Sequence, residues 1–166
     1  MAANRIQVRP TGPGDRSWVE QATAVVFGSK LVAARGRLLE PASHRGFVAL
    51  VAGDPVGFVT YLVERQHFEV TAIATLKRGM GAGTALMAAA VEEALRLGCR
   101  RVWLITTNDN LNALRFYQKR GFEIVCVYRG AVDISRAMLK PEIPPTGDHG
   151  IPLRDEIEME LRLTQA

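Results

Sequence analysis

Long apolar runs are missing from this sequence. Apolar residues make up 48% and charged residues 23% of its 166 positions, which is typical of globular proteins. Nowhere do the apolar residues form the run of roughly 20 that a membrane helix needs. The opening residues, MAANRIQVRP, also lack the apolar stretch of a signal peptide. We therefore expect a cytoplasmic protein that does not enter a membrane.

Cysteine is scarce, and charge of one sign is only slightly in excess. The two cysteines, Cys99 and Cys126, lie in apolar contexts without metal-ligand spacing, so we expect a reduced pair and no metal site. Lysine and arginine number 21 against 17 acidic residues, a formal charge of +4. This balance suits an anionic ligand, but the basic residues are dispersed, so nucleic-acid binding is not expected.

The order of secondary-structure patterns indicates one α/β domain over residues 1–166, with a mixed sheet and no internal repeat. Strands are predicted at 6–10, 46–52, 57–64, 68–75, 101–106, 122–128 and 156–163. Helices are predicted to begin after Asp15 and to cover 84–97 and 110–120. Residues 30–45 fit either a helix or an irregular strand. Residues 129–153 form a long connection that holds four of the eight prolines.

Two predicted elements carry an amphipathic pattern. In the first helix the apolar face is marked by Trp18, Ala22, Val25 and Val26. In the last strand Ile157, Met159, Leu161 and Leu163 alternate with Glu156, Glu158, Glu160 and Arg162. This alternation predicts a strand with one buried and one solvated face.

A glycine-rich turn, Arg78-Gly-Met-Gly-Ala-Gly83, lies between a predicted strand and a predicted helix. Glycines let the backbone approach a ligand closely, and the helix that follows offers unpaired N–H groups to a phosphate. The alternative is a turn that only packs the helix against the sheet. A P-loop is excluded because no Gly-Lys-Ser/Thr follows, and Thr84 stands where a Rossmann G-x-G-x-x-G motif needs its third glycine.

A second motif runs from Asn110 to Phe122, with the sequence NLNALRFYQKRGF. Alone, it is consistent with an ordinary amphipathic helix that ends at Gly121. However, it lies one helix and one strand after the glycine-rich turn, and this ordered pair resembles the GNAT superfamily of acyl-CoA-dependent N-acetyltransferases. The matched patterns are Q/R-x-x-G-x-G/A at Arg78 and N-x-x-A-x-x-F-Y-x-K-x-G-F at Asn110.

The resemblance implies the GNAT fold, a mixed, mostly antiparallel sheet flanked by helices, whose fourth and fifth strands splay apart to admit pantetheine. Residues 68–75 and 101–106 would be those two strands. Acetyl-CoA would be the co-substrate, with no metal. The residues implied in binding it are Ala72, Ile73, Ala74, Arg78, Gly79, Met80, Gly81, Ala82, Gly83, Thr84, Asn110, Ala113 and Tyr117. Met80 stands where a basic residue is frequent, which removes one charge from the phosphate site.

The same resemblance gives Tyr117 a role at the leaving thiolate, and position along the fourth strand makes Glu69 the candidate base. The alternatives are that Tyr117 is a core aromatic and that Glu69 is a solvated strand residue. His67 would share the strand face of Glu69 and could replace it as base.

The acceptor is less clear from the sequence. Arg35 and Arg37 lie where this fold builds its acceptor site and would suit an acid-bearing amine, whereas Glu156, Glu158 and Glu160 would attract a cation. Both sets also fit solvated surface. The connection at 129–153 either covers the acceptor pocket or only joins two strands.

These observations predict an N-acetyltransferase that moves an acetyl group from acetyl-CoA to a primary amine by direct attack in a ternary complex. The amine would belong to a small molecule or a peptide, and the resemblance leaves a homodimer open. The alternatives are a non-catalytic acyl-CoA sensor or interaction module, and a Rossmann-like nucleotide-binding enzyme.

Overall fold

The computed structural model describes residues 5–164, which form a seven-stranded sheet, a two-stranded hairpin and four α-helices. The strands are β1 (Ile6–Pro10), β2 (Val32–Ala34), β3 (Arg37–Leu39), β4 (Arg45–Val51), β5 (Asp54–Glu64), β6 (His67–Thr75), β7 (Arg101–Thr107), β8 (Glu123–Tyr128) and β9 (Glu156–Arg162). The helices are α1 (Arg16–Phe27), α2 (Ala82–Arg96), α3 (Leu111–Gln118) and α4 (Ala131–Met138). Within this range no helix is long and apolar enough to cross a membrane.

The large sheet has the order β1-β4-β5-β6-β7-β9-β8, and β6–β7 is its parallel pair. The other neighbouring strands are antiparallel. The predicted mixed, mostly antiparallel sheet is therefore confirmed. The Rossmann-like alternative is wrong, because that fold needs a mostly parallel sheet.

The parallel strands β6 and β7 separate halfway along their length. They pair from His67 with Arg101 to Val70 with Leu104, although β6 continues to Thr75 and β7 to Thr107. Beyond Val70 the backbone groups on this side of β6 have no partner on β7. The predicted splay between the family's fourth and fifth strands, here β6 and β7, is thus confirmed.

A β-bulge at Thr71 reverses the side-chain alternation of β6. Thr60 of β5 pairs with Ala72 and Tyr61 pairs with Val70, which leaves Thr71 as the extra residue. Before the bulge Phe68 and Val70 enter the core beneath α2, whereas after it Ala72 and Ala74 pack against α1. The bulge therefore lets the nine residues of β6 contribute side chains to two apolar cores, one beneath α2 and one against α1.

Residues 30–45, left open between helix and strand, contain the β2–β3 hairpin and a short 3-10 turn at Pro41–Ser43. The hairpin turn is Arg35-Gly36, and both residues have positive φ, at 51° and 72°. Two such residues form the type I′ turn that matches the twist of paired strands. The hairpin places Arg37 against Glu69 of β6, and Arg35 against Tyr128 of β8 and Glu156 of β9.

Three sequence expectations need correction. The connection at 129–153 contains helix α4, which was missed because Ile134 and Met138 are exposed and do not mark its buried face. In α1 the buried face is formed by Val19, Ala22 and Thr23, whereas Val25 is 75% exposed. The third is the last strand, which was expected to have one solvated face.

The last strand, β9, is not half solvated as its alternation predicted. It lies between β7 and β8, and its polar face is covered, so that Glu156 is 2% and Glu158 8% exposed. Alternation identifies two faces of a strand but does not say what covers each of them. The carboxylates on this face are consequently buried groups that need partners.

Candidate active site

Two cavities, both open to solvent, meet at the splay between β6 and β7. The inner cavity, of 420 Å³, is bounded by α1, the β2–β3 hairpin, the splayed strands and α4. The outer cleft, of 480 Å³, runs along the glycine-rich turn and the starts of α2 and α3. Ile73, Ala113 and Tyr117 line both. The two spaces therefore adjoin at these three residues.

The outer cleft is built on the N-terminus of α2. Gly81 caps this helix with φ 78° and provides no side-chain acceptor, so the N–H groups of the first turn point into the cleft without a capping partner. Gly79 also has positive φ, at 79°, which is the conformation that glycine adopts without strain. This geometry suits a phosphate group.

Gly83, in the first turn of α2, lies beside the Phe116 ring of α3. A Cβ at this position would lie 3.4 Å from Cε2 of Phe116 and 3.5 Å from its Cζ. A larger side chain would therefore displace the Phe116 ring or fill the cleft. A Cβ alone would fit at ordinary contact distance, so Gly83 keeps the cleft open rather than relieving a clash or a positive φ.

Three basic residues line the outer cleft: Lys77, Arg78 and Arg120. The Arg120 guanidinium lies 3.6 Å over the Phe116 ring, and it donates to the carbonyl oxygen of Phe116 at 2.8 Å and to the Thr84 hydroxyl. Lys77 and Arg120 were missed by sequence reasoning. Arg120 stands at a variable position of the second motif, directly before Gly121, and this proximity was the available signal.

The implied acetyl-CoA residues lie together around the two cavities, with one exception. Ile73 and Ala74 line the outer cleft, and so do Arg78, Gly79, Gly81, Ala82, Gly83, Thr84, Ala113 and Tyr117. Ala72 and Asn110 line the inner cavity. The exception is Met80, whose side chain packs against the apolar core and does not face the cleft.

Asn110 has a structural task in addition to its place in the wall. Its Oδ1 accepts a hydrogen bond from the backbone N–H of Ala113 at 3.1 Å and so caps α3. Residues four apart lie on one face of a helix. A helix that begins after Asn110 therefore places Ala113 and Tyr117 together at the junction of the cavities.

Tyr117 is 7% exposed and packs edge-on against Phe116 and at a tilt against Phe122, with ring centroids 5.3 and 5.7 Å away. Burial raises the pKa of its hydroxyl well above the ordinary value. Among residues 5–164 the hydroxyl has no hydrogen-bond partner. Tyr117 is therefore a core aromatic that also presents a protonated hydroxyl at the junction.

The segment at 129–153 covers the inner cavity. Val132, Ser135, Ile143 and Pro144 line its wall. Lys140 holds this segment to the opposite wall, since its Nζ donates to the carbonyl oxygens of Leu31 at 2.9 Å and Phe27 at 3.3 Å. This connection therefore forms part of the cavity wall in addition to joining β8 and β9.

Glu69 lies in the inner cavity but is not a solvated strand residue, since it is 7% exposed. Its two carboxylate oxygens accept hydrogen bonds from Arg37, at 2.5 and 3.1 Å. Proton transfer to Glu69 would remove the negative charge on which this ion pair depends. His67, the predicted substitute, is exposed and lines neither cavity.

A second histidine lies near the bulge instead. The Nδ1 of His44 is 2.9 Å from the hydroxyl of Thr71, which is also 2.9 Å from the hydroxyl of Thr60. Burial lowers the pKa of His44, so the ring is neutral at neutral pH. This chain of hydrogen bonds ties the bulge residue to β5 and to the turn before β4.

Arg35 is an exposed residue, as solvated surface would be, whereas Glu156 and Glu158 of β9 are buried. The Arg35 guanidinium lies 3.3 Å from the centre of the Tyr128 ring, and Glu156 accepts from the backbone N–H of Arg35 at 3.1 and 3.3 Å. Burial raises the pKa of the Glu156 carboxyl. Glu156 also lines the inner cavity, whereas Glu158 and Glu160 do not.

Two sequence relatives are informative. YdhI of Bacillus subtilis, an uncharacterized protein, is 42% identical over 113 residues, which are 68% of this chain and 70% of YdhI. Streptothricin acetyltransferase of Streptomyces lavendulae is 39% identical over 88 residues, which are 50% of this chain and 47% of that protein. The chain thus spans about half the length of streptothricin acetyltransferase, a relative whose name states its activity.

A solved acetyltransferase of Bacillus subtilis in complex with CoA has the same fold. The TM-score is 0.68 at 22% identity, over 96% of this chain and 99% of that one. The model of the acetyltransferase (GNAT) family matches residues 16–122, which include the glycine-rich turn, both splayed strands and the second motif. This chain therefore belongs to the GNAT family of acetyltransferases.

Proposed function

We propose that this protein is an N-acetyltransferase that moves an acetyl group from acetyl-CoA to a primary amine by direct attack in a ternary complex. The observation that carries the proposal is the meeting of two cavities at Ile73, Ala113 and Tyr117. One cavity suits a long phosphorylated thioester and the other a small acceptor. Their junction is where a thioester carbonyl and an amine nitrogen would come together.

The outer cleft supports acetyl-CoA as the co-substrate. Its pyrophosphate would lie on the free N–H groups at the start of α2, beside Arg78, Lys77 and Arg120. Pantetheine would follow β6 past Ala74 and Ile73, where the strand's backbone groups are not paired with β7. The structural relative in complex with CoA supports this assignment through its fold.

The chemistry needs a neutral amine, a stabilised oxyanion and a way to protonate sulfur. The nitrogen attacks the thioester carbonyl, the C–N bond forms and the C–S bond breaks. A backbone N–H of β6 beyond Val70 would stabilise the oxyanion. Tyr117 would donate a hydrogen bond to the departing sulfur, because its raised pKa keeps the hydroxyl protonated.

The role of general base, predicted for Glu69, stays a prediction. The bidentate contact with Arg37 argues that Glu69 instead fixes the β2–β3 hairpin against β6. A cytoplasmic location and a homodimer also stay predictions.

Thiol release from acetyl-CoA, measured over a panel of small primary amines, polyamines, amino acids and peptide N-termini, tests the proposed function. Calorimetry with CoA is run in parallel. Thiol release that depends on an amine supports the proposal. Tight CoA binding without release for any amine would instead favour the non-catalytic sensor, and absence of CoA binding would contradict both.

A further inference from the structure

The buried carboxylates on the hairpin side of the sheet are paired, with one exception. Glu69 is paired with Arg37. Glu158 accepts from Arg101 at 3.2 Å and from the Tyr128 hydroxyl at 2.6 Å. Glu160 contacts Arg101 at 2.7 Å and Arg162 at 3.0 Å. In each case a charged side chain compensates the carboxylate.

Glu156 is the exception. It is 2% exposed, yet its hydrogen bonds among residues 5–164 come only from the backbone N–H of Arg35. The Arg35 guanidinium itself lies over the Tyr128 ring. A buried carboxylate without a cationic contact is costly, because burial removes the water that would otherwise stabilise its charge. This carboxylate faces the inner cavity.

We infer that Glu156 binds the ammonium group of the acceptor and accepts its proton before the nitrogen attacks, and that the acceptor is a small primary amine on an apolar arm. The inference rests on the proposed function and names its substrate class. It assigns to Glu156 the task that strand position had suggested for Glu69.

The lining of the inner cavity is the reason for proposing an acceptor with an apolar arm. Away from Glu156 they are mainly aliphatic and aromatic, with Phe27, Val32, Ile105, Val132 and Leu153 among them. The other charged residues in the wall are Glu69, which is paired, Lys140, which is bonded to two carbonyl oxygens, and the exposed Glu142. A polyamine would leave its further ammonium groups against apolar surface, which costs free energy, except where one of them reached Glu142.

The ammonium nitrogen loses two protons in the reaction. The ammonium nitrogen gives one proton to the Glu156 carboxylate, which becomes a carboxylic acid, and the neutral amine attacks the thioester. When the C–S bond breaks, the nitrogen's surplus proton goes to sulfur. Glu156 then returns its proton to solvent. Burial disfavours the charge on both partners of the ammonium–carboxylate pair, which lowers the cost of the first transfer.

The charged surroundings of Glu156 are consistent with this role. The cationic side chains that favour its ionised form are Arg35, from the hairpin turn, and Arg37, which is already paired with Glu69. On the two flanking strands, Thr107 of β7 and Tyr128 of β8 pair with Glu156. Both side chains are uncharged at neutral pH. Burial outweighs the two arginines, and the pKa of Glu156 is raised.

The first test compares binding of n-hexylammonium chloride and 1-hexanol, two molecules with the same arm. The wild type should bind the ammonium about tenfold to a hundredfold more tightly, the typical contribution of a hydrogen bond to a charged group. Glu156→Gln should reduce this ratio to near one. Glu158→Gln, a buried glutamate on the same strand face outside the cavity, should keep it.

A wild type without preference, or a preference that survives Glu156→Gln, would overturn the inference. Should that variant not fold, the carboxyl ¹³C resonance of Glu156 in the wild type decides instead. It should shift on addition of hexylammonium and not on addition of hexanol, and an unmoved resonance would overturn the inference as well.

The second test follows thiol release with hexylamine as a function of pH. Glu156→Gln should lower kcat/KM by about 10²–10⁴-fold, the usual contribution of a general base, while CoA affinity stays at the wild-type value. Unchanged kcat/KM would overturn the inference and leave the proposed function intact. Conversely, an ammonium preference that depends on Glu156 without any thiol release would overturn acetyl transfer and the proton step, but support the ammonium site.

Discussion

The Arg37 guanidinium contacts both carboxylate oxygens of Glu69, with Nη2 2.5 Å from Oε1 and Nη1 3.1 Å from Oε2. The Glu69 side chain is 9% exposed and that of Arg37 42%. Removing the arginine therefore leaves the more deeply buried partner unpaired. The pair links the β2–β3 hairpin to the part of β6 that is still paired with β7.

Arg37→Met should lower the free energy of unfolding by about 1–3 kcal/mol, the cost of leaving a buried hydrogen-bonded group unsatisfied. Adding Glu69→Gln should restore part of that loss, because the stranded charge is then gone. Urea unfolding of the two single variants and the double variant forms a cycle that isolates the pair. Additive losses would mean that the two side chains are not coupled.

The same Glu69→Gln variant tests the role first predicted for this residue. Because Arg37 already occupies both oxygens, the ascending limb of the pH profile of kcat/KM should stay in place. Loss of that limb in Glu69→Gln, with CoA affinity unchanged, would identify Glu69 as the base after all.

Tyr117→Phe should leave the free energy of unfolding within about 0.5 kcal/mol of the wild type, since the hydroxyl has no protein partner among the described residues. The turnover number should fall by about 10²–10⁴-fold if the hydroxyl acts as an acid, and less if it only donates a hydrogen bond. Single-turnover kinetics gives the chemical step directly. An unchanged chemical step would leave Tyr117 with a packing role alone.

Arg78→Ala should weaken CoA binding, and the loss should be greater at low than at high salt, because the contact is between exposed charges. Arg65→Ala is the matched control. Arg65 is also exposed, but it lies in the β5–β6 turn and lines neither cavity. Calorimetry at two salt concentrations separates the two variants, and equal losses would remove Arg78 from the phosphate site.

Gly83→Val should abolish CoA binding by filling the cleft, since even its Cβ would lie 3.4 Å from the Phe116 ring. Far-UV circular dichroism should stay close to that of the wild type, because Gly83 has an ordinary helical φ and the residue can be replaced without backbone strain. Wild-type affinity in the folded variant would place CoA elsewhere.

Glu156→Gln should be more stable than the wild type at neutral pH. The folded-state pKa of Glu156 is raised above its unfolded value, so the folded state holds more protons between the two values and wild-type stability falls as pH rises through that window. Glutamine does not titrate. The melting temperature of the variant should therefore exceed that of the wild type above this window, and the difference should shrink toward acid pH. A pH-independent difference would contradict the raised pKa.

The parts of the fold that could be predicted depend on short stretches of sequence. Gly81 as the cap of one helix and Asn110 as the cap of the next are local signals that determine where the two helices begin. The family resemblance carried by the ordered pair of motifs then implied the sheet and its splay. Most of the implied acetyl-CoA residues lie around the two adjoining cavities.

What could not be predicted depends on contacts between distant segments. The hydrogen bond from Arg35 to Glu156 joins residues 121 positions apart, and no local pattern indicates it. The burial of β9 depends on which strands flank it, and the bulge at Thr71 appears only in the register with β5. The partners of Glu69 and Glu156, which decide their chemistry, follow from that long-range arrangement.

The opening of both cavities to solvent has a consequence for the order of binding. Acetyl-CoA in the outer cleft and an amine in the inner cavity would share only the three residues at the junction. Neither substrate has to pass through the space of the other, so neither must bind first. Initial-rate kinetics should therefore be sequential and random, with intersecting double-reciprocal lines and each substrate able to bind the free enzyme.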